Sequence, residues 1–374
     1  MRILIAPNAM KGSLTASDFA EAIAKGLLMA DATFELIKCP LADGGDGTSE
    51  LIINKLGGFF IPVPVHDPLG RVINSRLGWL PDLKCAIIEM AEASGLKLLA
   101  AHELNPMAAS SRGTGELMVA AIEKGAQKII LGIGGSATVD GGIGILKALG
   151  FSLTDREGCE IADGGNGLIQ LAQVLTGRVS PEILNCEIVI ATDVKNLLLG
   201  DHGAAAIYGP QKGATPLMVK ELESGFNNYI NVLEQTSHKQ LVGLPGGGAA
   251  GGVAIPLIAF LNAKMESGAE LIMELLGVFD ELNNCDLVIT GEGCIDLQTC
   301  HGKGPGAVAR AARKAGIPVL AIGGKIDVEA STLFDGIFSI TTGPLSLNQA
   351  MENAYELTIL FASELGKLLK SLFK

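Results

Sequence analysis

The chain has 374 residues, 28 basic against 40 acidic side chains, and a net charge of −12. Apolar residues make up 48% and charged residues 18%, which excludes a disordered, solvating chain. The acidic balance argues against neutralising nucleic-acid phosphates, and the 4% aromatic content against a base-stacking platform. The 49 glycines suit a fold of tight strand-to-helix turns with backbone lining its ligands. Seven cysteines form no CxxC pair, so neither a disulfide framework nor a zinc site is expected. The opening MRILIAPNAMKGS reads as a first strand rather than a signal peptide. Residues Gln240 to Ala263 carry no charge, but the run GLPGGGAAGGVA breaks them; a Gly-rich turn feeding a buried helix is expected, not a membrane span. These features point to a cytoplasmic protein.

In chain order, Arg2–Ala6 is an apolar β-branched run. Ser17–Met29 follows with helical spacing, Thr33–Cys39 is a second strand, and Asp43–Thr48 is a Gly-rich turn before a helix over Ser49–Leu56. The texture then changes. FFIPVPV, RVINSRLGWL and KCAIIEM read as short antiparallel strands, the first two joined by a turn at Asp67-Pro68-Leu69-Gly70. Further strands are expected at Lys128–Gly132 and Glu187–Thr192, and helices at Glu116–Gly125 and Leu217–Gln235. The final third returns to apolar strands at Asp286–Thr290, Pro318–Ile322 and Gly336–Thr341, with helices at Pro305–Ala315 and Leu347–Leu372. Apolar strands alternating with helices mean a parallel sheet covered on both faces. The expected architecture is α/β: a flavodoxin-like domain with five parallel strands in three layers, built from 1–58 and 284–374. A mixed α/β domain is inserted at 59–283. Ligands are expected outside the carboxyl ends of the strands, in a cleft between the two domains.

Those strand ends carry the chemistry. PNAMKGSL follows the first strand and DGGDGT the second; GGSATVDGG follows Lys128–Gly132, DVKN follows Glu187–Thr192, GEGCID and then GK follow Asp286–Thr290, and GGK follows Pro318–Ile322. Glycines let backbone N–H groups approach an anion, lysines neutralise phosphate, and carboxylates hold Mg²⁺ through one or two oxygens. Together they are the parts for phosphoryl transfer. No Walker loop is present, since HGKG lacks the Ser or Thr that should follow its lysine. A rival reading takes Gly132 to Ala137 as a G-x-G-x-x-A dinucleotide fingerprint with Asp155 as its acid, although Val139-Asp140-Gly141-Gly142 would break the helix it requires. Glu89 and Glu92 read equally as site carboxylates or as helix-start acids, and Arg112 as a carboxylate clamp or a surface arginine. Trp79 and Tyr208 read as packing residues and His202 as a loop residue.

At these turns the sequence resembles the bacterial glycerate kinase family of the type that forms 2-phosphoglycerate. The matching segments run in order through nearly the whole chain: APNAMKGSLTA, LADGGDGT, DPLGR, EMAEASGL, SSRGTGEL, GIGGSATVDGG, YGPQKGA, PGGGAAGG, TGEGCIDLQT with GKGPGAVA, and TTGPLSLNQAM. It departs from the family's APDSFKGS at Asn8, Ala9 and Met10, from its Asn at Val139, and from its Asp-Val-Thr-Asn-Pro at Lys195 and Leu197, with Asn196 between them. It also departs at Cys294 and Leu297, where the family often has Arg and Gly. The resemblance implies ATP, Mg²⁺ and D-glycerate, with 2-phospho-D-glycerate as product.

Roles are assigned on chemical grounds. Asp193 is the expected base for the 2-hydroxyl, and Lys11 the second catalytic group. Arg112, Ser13, Ser136 and Asp140 are expected at the acid substrate. Gly44, Gly45, Gly291, Gly293 and Lys303 are expected to cradle the nucleotide, and Asp43, Glu292 and Asp296 to hold the metal. Closure of the domains would exclude water. No nucleic-acid or membrane partner is expected, and a homodimer is admitted. The alternatives are a Rossmann-type NAD(P)-dependent hydroxy-acid dehydrogenase and a non-enzymatic sensor of a sugar acid or nucleotide.

Overall fold

The computed structural model describes residues 1–42, 47–300 and 304–372. Its strands, in chain order, are β1 (Arg2–Ile5), β2 (Glu35–Lys38), β3 (Phe59–His66), β4 (Val72–Leu80), β5 (Cys85–Glu89), β6 (Lys128–Gly132), β7 (Ser152–Thr154), β8 (Gln173–Leu175), β9 (Glu187–Ala191), β10 (Lys264–Glu266), β11 (Leu287–Ile295), β12 (Val319–Ile326) and β13 (Gly336–Ser339). The chain divides into two compact units, one of Met1–Asp43 with Ala269–Lys374 and one of Gly44–Gly268. The boundaries fall about fifteen residues before those expected at 58/59 and 283/284. The physical reason lies in two helices. Thr48–Leu56 packs on β4 and β5 of the second unit, and Val278–Leu282 packs on Gly304–Ala315 of the first.

The first unit is a five-stranded parallel sheet in the order β13-β12-β11-β1-β2. Counted within the unit, this is 2-1-3-4-5, the flavodoxin-like order. The central strands are apolar because both faces are covered: Ile3, Leu4, Ile5, Val288 and Ile289 have no exposed surface. Helix Ala16–Ala30 starts at Thr15, whose hydroxyl accepts from the Asp18 N–H, and it lies against helix Ala354–Leu372. The two helices approach closely at Gly26 and Gly366. A Cβ on Gly26 would come within 2.6 Å of Ala362 Cβ and 2.9 Å of Ser363 N, and would collide with the Ile359 carbonyl. The expected single helix over Leu347–Leu372 is two helices, Leu347–Glu352 and Ala354–Leu372, separated at Asn353 with φ −100° and ψ 11°. Ser346 and Gln349 close a capping box on the first of them. β11 runs five residues beyond the expected end at Thr290.

The second unit holds a six-stranded sheet ordered β10-β9-β6-β5-β4-β3. β3, β4 and β5 pair antiparallel, as expected. Asp67 forms the first turn: its carboxylate accepts from the Leu69 and Arg71 N–H groups, and its own N–H reaches the Arg71 carbonyl. From β5 onward the neighbours β6, β9 and β10 are all parallel, with Glu89, Gly132, Ala191 and Glu266 in one row across the sheet. Four carboxyl ends therefore lie along one edge. The uncharged stretch becomes a Gly-rich turn and a buried helix, Ala254–Leu261; no helix among the described residues is long and apolar enough to cross a membrane. The dinucleotide reading fails on two counts. No helix opens at Gly134, the next one being Ile143–Ala148, and Asp155 follows β7, which pairs only with β8 in a separate antiparallel ribbon.

A Gly26→Val variant should lose about 2–3 kcal/mol through overpacking at the helix crossing. Urea denaturation read by circular dichroism checks this; an unchanged midpoint would mean the helices separate freely.

Candidate active site

In the first unit, the carboxyl-terminal ends of β11 and β12 and the segments that follow β1 and β13 line one cavity of about 410 Å³. Its floor is apolar, with Met10, Ile340, Leu347, Ala350, Met351 and Ala354; its polar groups are Asn8, Lys11, Ser13, Glu292, Cys294, Lys325 and Thr341. Lys11 and Lys325 are exposed, and their ammonium groups make no hydrogen bond or ion pair among the described residues. Ser13 is otherwise occupied. Its hydroxyl donates to the Met351 carbonyl at 2.7 Å and ties the turn at 10–14 to helix Leu347–Glu352. Glu292 is 7% exposed, and its Oε1 accepts from Thr299 Oγ1 at 2.6 Å. Asp296 closes a turn by accepting from the Thr299 N–H, while the Thr299 hydroxyl accepts from the Asp296 N–H. Gly293 lines the cavity, whereas Gly291 does not. Gly291 is buried inside β11, where a Cβ would strike the Ile322 carbonyl of β12. It is glycine because it packs against β12.

In the second unit, the turn after β6 is organised by Asp140, which has no exposed surface. Its carboxylate accepts from Ser111 N (2.8 Å), Ser111 Oγ (2.8 Å), Gly142 N (3.0 Å) and Gly144 N (3.3 Å). Burial pushes its pKa up, while the bonds from Ser111, Gly142 and Gly144 pull it down. Asp140 is thus enclosed rather than presented to a ligand, and it positions two segments, SSRG and VDGG. Lys212, 2% exposed, donates to Ser136 Oγ at 2.8 Å and to the Thr138 carbonyl at 2.7 Å. Tyr229 donates to the Gly141 carbonyl from the opposite end of the same turn. The turn is fastened to the loop after β5 as well, through Leu96 N to the Gly135 carbonyl and Ala137 N to the Ser94 carbonyl.

Asp193 lies two residues past β9 and is half-buried; its Oδ1 accepts from Ser267 Oγ, just past β10, at 2.7 Å. Arg112 opens helix Arg112–Glu123 and is 47% exposed, its Nε donating to Glu116 at 3.0 Å. Glu116 also accepts from the His66 backbone and ring; burial would raise its pKa, but these bonds hold it below the usual value. Of the two ambiguous acids, Glu89 is the last residue of β5 and bonds a helix remote in sequence, not the one that follows it. Buried, with its pKa raised chiefly by burial, it accepts from the Gly47 and Ser49 N–H groups at the start of helix Thr48–Leu56. Glu92 pairs with Lys97 at 2.6 Å. Asp43, Gly44, Gly45 and Lys303 lie outside the described residues.

Sequence reasoning missed Lys212, Ser111, Thr138, Ser267 and Lys325 as site residues. Lys212 sits in YGPQKGA, where nothing in the local pattern distinguishes a buried lysine from a turn lysine. Lys325 ends a strand and had a signal in Gly-Gly-Lys.

Burial lowers the Lys212 pKa from 10.5 to about 7, against the opposing field of Asp140. Between about pH 7 and 10.5 the unfolded chain therefore binds more protons at this site than the folded chain. The group costs stability in full below pH 7, and the cost falls as pH rises. A Lys212→Met variant lacks this dependence. Urea unfolding at pH 7 and pH 9 should show wild type gaining on the variant by up to about 1.4 kcal/mol per pH unit. A pH-independent difference would contradict the buried, charge-penalised state.

The residues 3–370 match the sequence pattern of the glycerate kinase family. Glycerate 2-kinase of Escherichia coli (strain K12) is 42% identical over 360 residues, 95% of this chain and 94% of that protein. Glycerate kinase of Bacillus subtilis (strain 168) is 39% identical over 380 residues, the full length of both chains. The crystal structure of a Salmonella typhimurium LT2 protein described as glycerate kinase 2 superposes with a TM-score of 0.88 at 40% identity, covering 99% of this chain and 98% of that one. With a flavodoxin-order sheet, a mixed sheet and these relatives along its whole length, the chain belongs to the glycerate kinase family and is a phosphotransferase.

Proposed function

We propose that this enzyme transfers the γ-phosphoryl group of ATP to the 2-hydroxyl of D-glycerate, giving 2-phospho-D-glycerate and ADP. The observation that carries the reading is Asp193. It is a half-buried carboxylate past the end of a parallel strand, on the sheet edge that also bears the Gly134–Gly142 turn. Asp193 takes the proton of the 2-hydroxyl as its oxygen forms the bond to the γ-phosphorus. The bond from that phosphorus to the bridging oxygen breaks, and ADP leaves with the electron pair. Ser267 orients the carboxylate through its bond to Oδ1. The terminal N–H groups of Arg112 suit the substrate carboxylate, its Nε being held by Glu116.

On the nucleotide side, Gly293 offers backbone without a side chain, and Lys11 and Lys325 offer unspent positive charge to phosphate oxygens. Lys303, Gly44 and Gly45 complete this set in the proposal. The apolar floor of the cavity suits the nucleoside. Glu292 and Asp296, with Asp43, are hard oxygen donors of the kind Mg²⁺ prefers, and two carboxylates suffice when phosphates and water fill the shell. Bound there, Mg²⁺ would neutralise phosphate charge. Ser13 and Asp140 serve as positioning groups, since their polar atoms are committed to Met351 in one case and to Ser111, Gly142 and Gly144 in the other. A reaction that consumes ATP suits the cytoplasm.

A coupled ADP-release assay with D-glycerate, run beside an NAD(P)-reduction assay, tests the reading. ADP formed only with the acid is expected, with no NAD(P) reduction, and phosphorus NMR should find the product phosphorylated at carbon 2. Asp193→Ala should lower kcat roughly 10²–10⁴-fold with little change in the KM for D-glycerate. A folded Asp193→Ala enzyme with normal turnover would remove the base from the mechanism.

A further inference from the structure

We propose that the turn after β6 holds an oxyanion, with the Ser136 hydroxyl as the direct donor and Lys212 as the buried positioning cation behind it. This inference deepens the function proposed above and rests on it. The oxyanion is either the carboxylate of the acid substrate or a phosphate oxygen of the nucleotide.

The argument is one of hydrogen-bond supply. In its charged form the Lys212 ammonium has three protons and two acceptors, Ser136 Oγ and the Thr138 carbonyl. No carboxylate lies within ion-pair distance of it among the described residues. Asp140 acts on it only through its field, being already committed to Ser111, Gly142 and Gly144. Because Ser136 Oγ accepts from Lys212, the serine's own proton must point elsewhere, and no acceptor among the described residues takes it. Two residues on, Thr138 Oγ1 is wholly buried and has no hydrogen-bond partner among the described residues. One short turn, backed by a buried lysine from the segment Pro210–Lys212, therefore carries two hydroxyls whose protons are unspent among the described residues. A buried charge and buried unpaired hydroxyls each cost free energy. Such a surplus of donors is offset by an incoming acceptor, and by a negatively charged one most of all.

The turn offers a way in, since Gly135, adjacent to Ser136, is exposed, whereas Lys212 is sealed behind the serine. Lys212 is itself held rigidly. Its N–H bonds the Gly209 carbonyl at 2.9 Å, and the next residue, Gly213 (φ +93°), packs on the backbone of Leu104. This is the arrangement of a positioning group that acts through a neighbour.

The test is a double-mutant cycle of Lys212→Met and Ser136→Ala, with kcat and the KM for D-glycerate and for ATP measured separately. Urea denaturation confirms the fold of each variant. Each single variant should raise one of the two KM values roughly tenfold to a hundredfold, with a much smaller change in kcat. The double variant should be no worse than the more affected single one, because both changes break the same chain of bonds. A shift confined to D-glycerate identifies the carboxylate as the ligand, and a shift confined to ATP identifies a phosphate. Unchanged KM values in Ser136→Ala, or effects that multiply in the double variant, would overturn the proposal. Should Lys212→Met fail to fold, Ser136→Ala alone decides by the same criterion. If wild type releases no ADP with D-glycerate, the proposed function has failed, and calorimetric binding of D-glycerate and of ATP then decides the oxyanion site. Binding weakened in Ser136→Ala supports the site; equal binding, or none by wild type, overturns it.

Discussion

Asp140 is a carboxylate with no surface, satisfied by two backbone N–H groups from its own turn and by the N–H and hydroxyl of Ser111. An ionised side chain tolerates such burial only when donors surround it. The consequence is that the turn after β6 and the start of helix Arg112–Glu123 are locked to each other. Arg112 follows Ser111 directly, and Ser136 lies four residues before Asp140, so both groups assigned to the oxyanions of the reaction inherit their position from this buried polar centre. Tyr229 and Lys212 fasten the same turn at its two ends. Preorganised donors aimed at developing or resident negative charge are the largest single contribution available to an enzyme of this kind.

Each unit then applies the same rule of parallel sheets. Strands running in one direction bring their carboxyl ends to one edge, and the loops leaving that edge are where side chains with chemistry can gather without disturbing the core. In the first unit that edge holds a cavity with an apolar floor and two lysines whose charge is unspent among the described residues. In the second it holds Asp193, Ser267 and the turn of Ser136. The chemistry divides accordingly: apolar surface and cations suit a nucleotide, and a half-buried carboxylate beside hydroxyl groups suits a small hydroxy acid.

Much of this was legible in the amino-acid sequence, for a physical reason. Strands covered on both faces must be continuously apolar, and RILI, LVIT and VLAI announce themselves against the alternating β3 and β4. That contrast separates a flavodoxin-order sheet from an antiparallel edge. What stayed hidden depends on tertiary neighbours. Gly291 looks like a turn glycine because it follows an apolar run, yet it is a strand residue made glycine by the approach of Ile322. Asn353 divides a continuous helical pattern into two helices, which periodicity does not register. Asp140 was legible as a residue with a task, but a carboxylate that touches a ligand and one that fixes a turn carry the same letter. Lys212 was not singled out because burial of a lysine is decided by what packs over it.

The account is tested most directly by a crystal structure with D-glycerate, Mg²⁺ and a non-hydrolysable ATP analogue bound. It predicts the 2-hydroxyl within hydrogen-bond distance of an Asp193 oxygen and an oxyanion oxygen at Ser136 Oγ. A ligand-bound structure in which the acid's hydroxyls face away from Asp193, with the turn after β6 touching neither substrate, would contradict it.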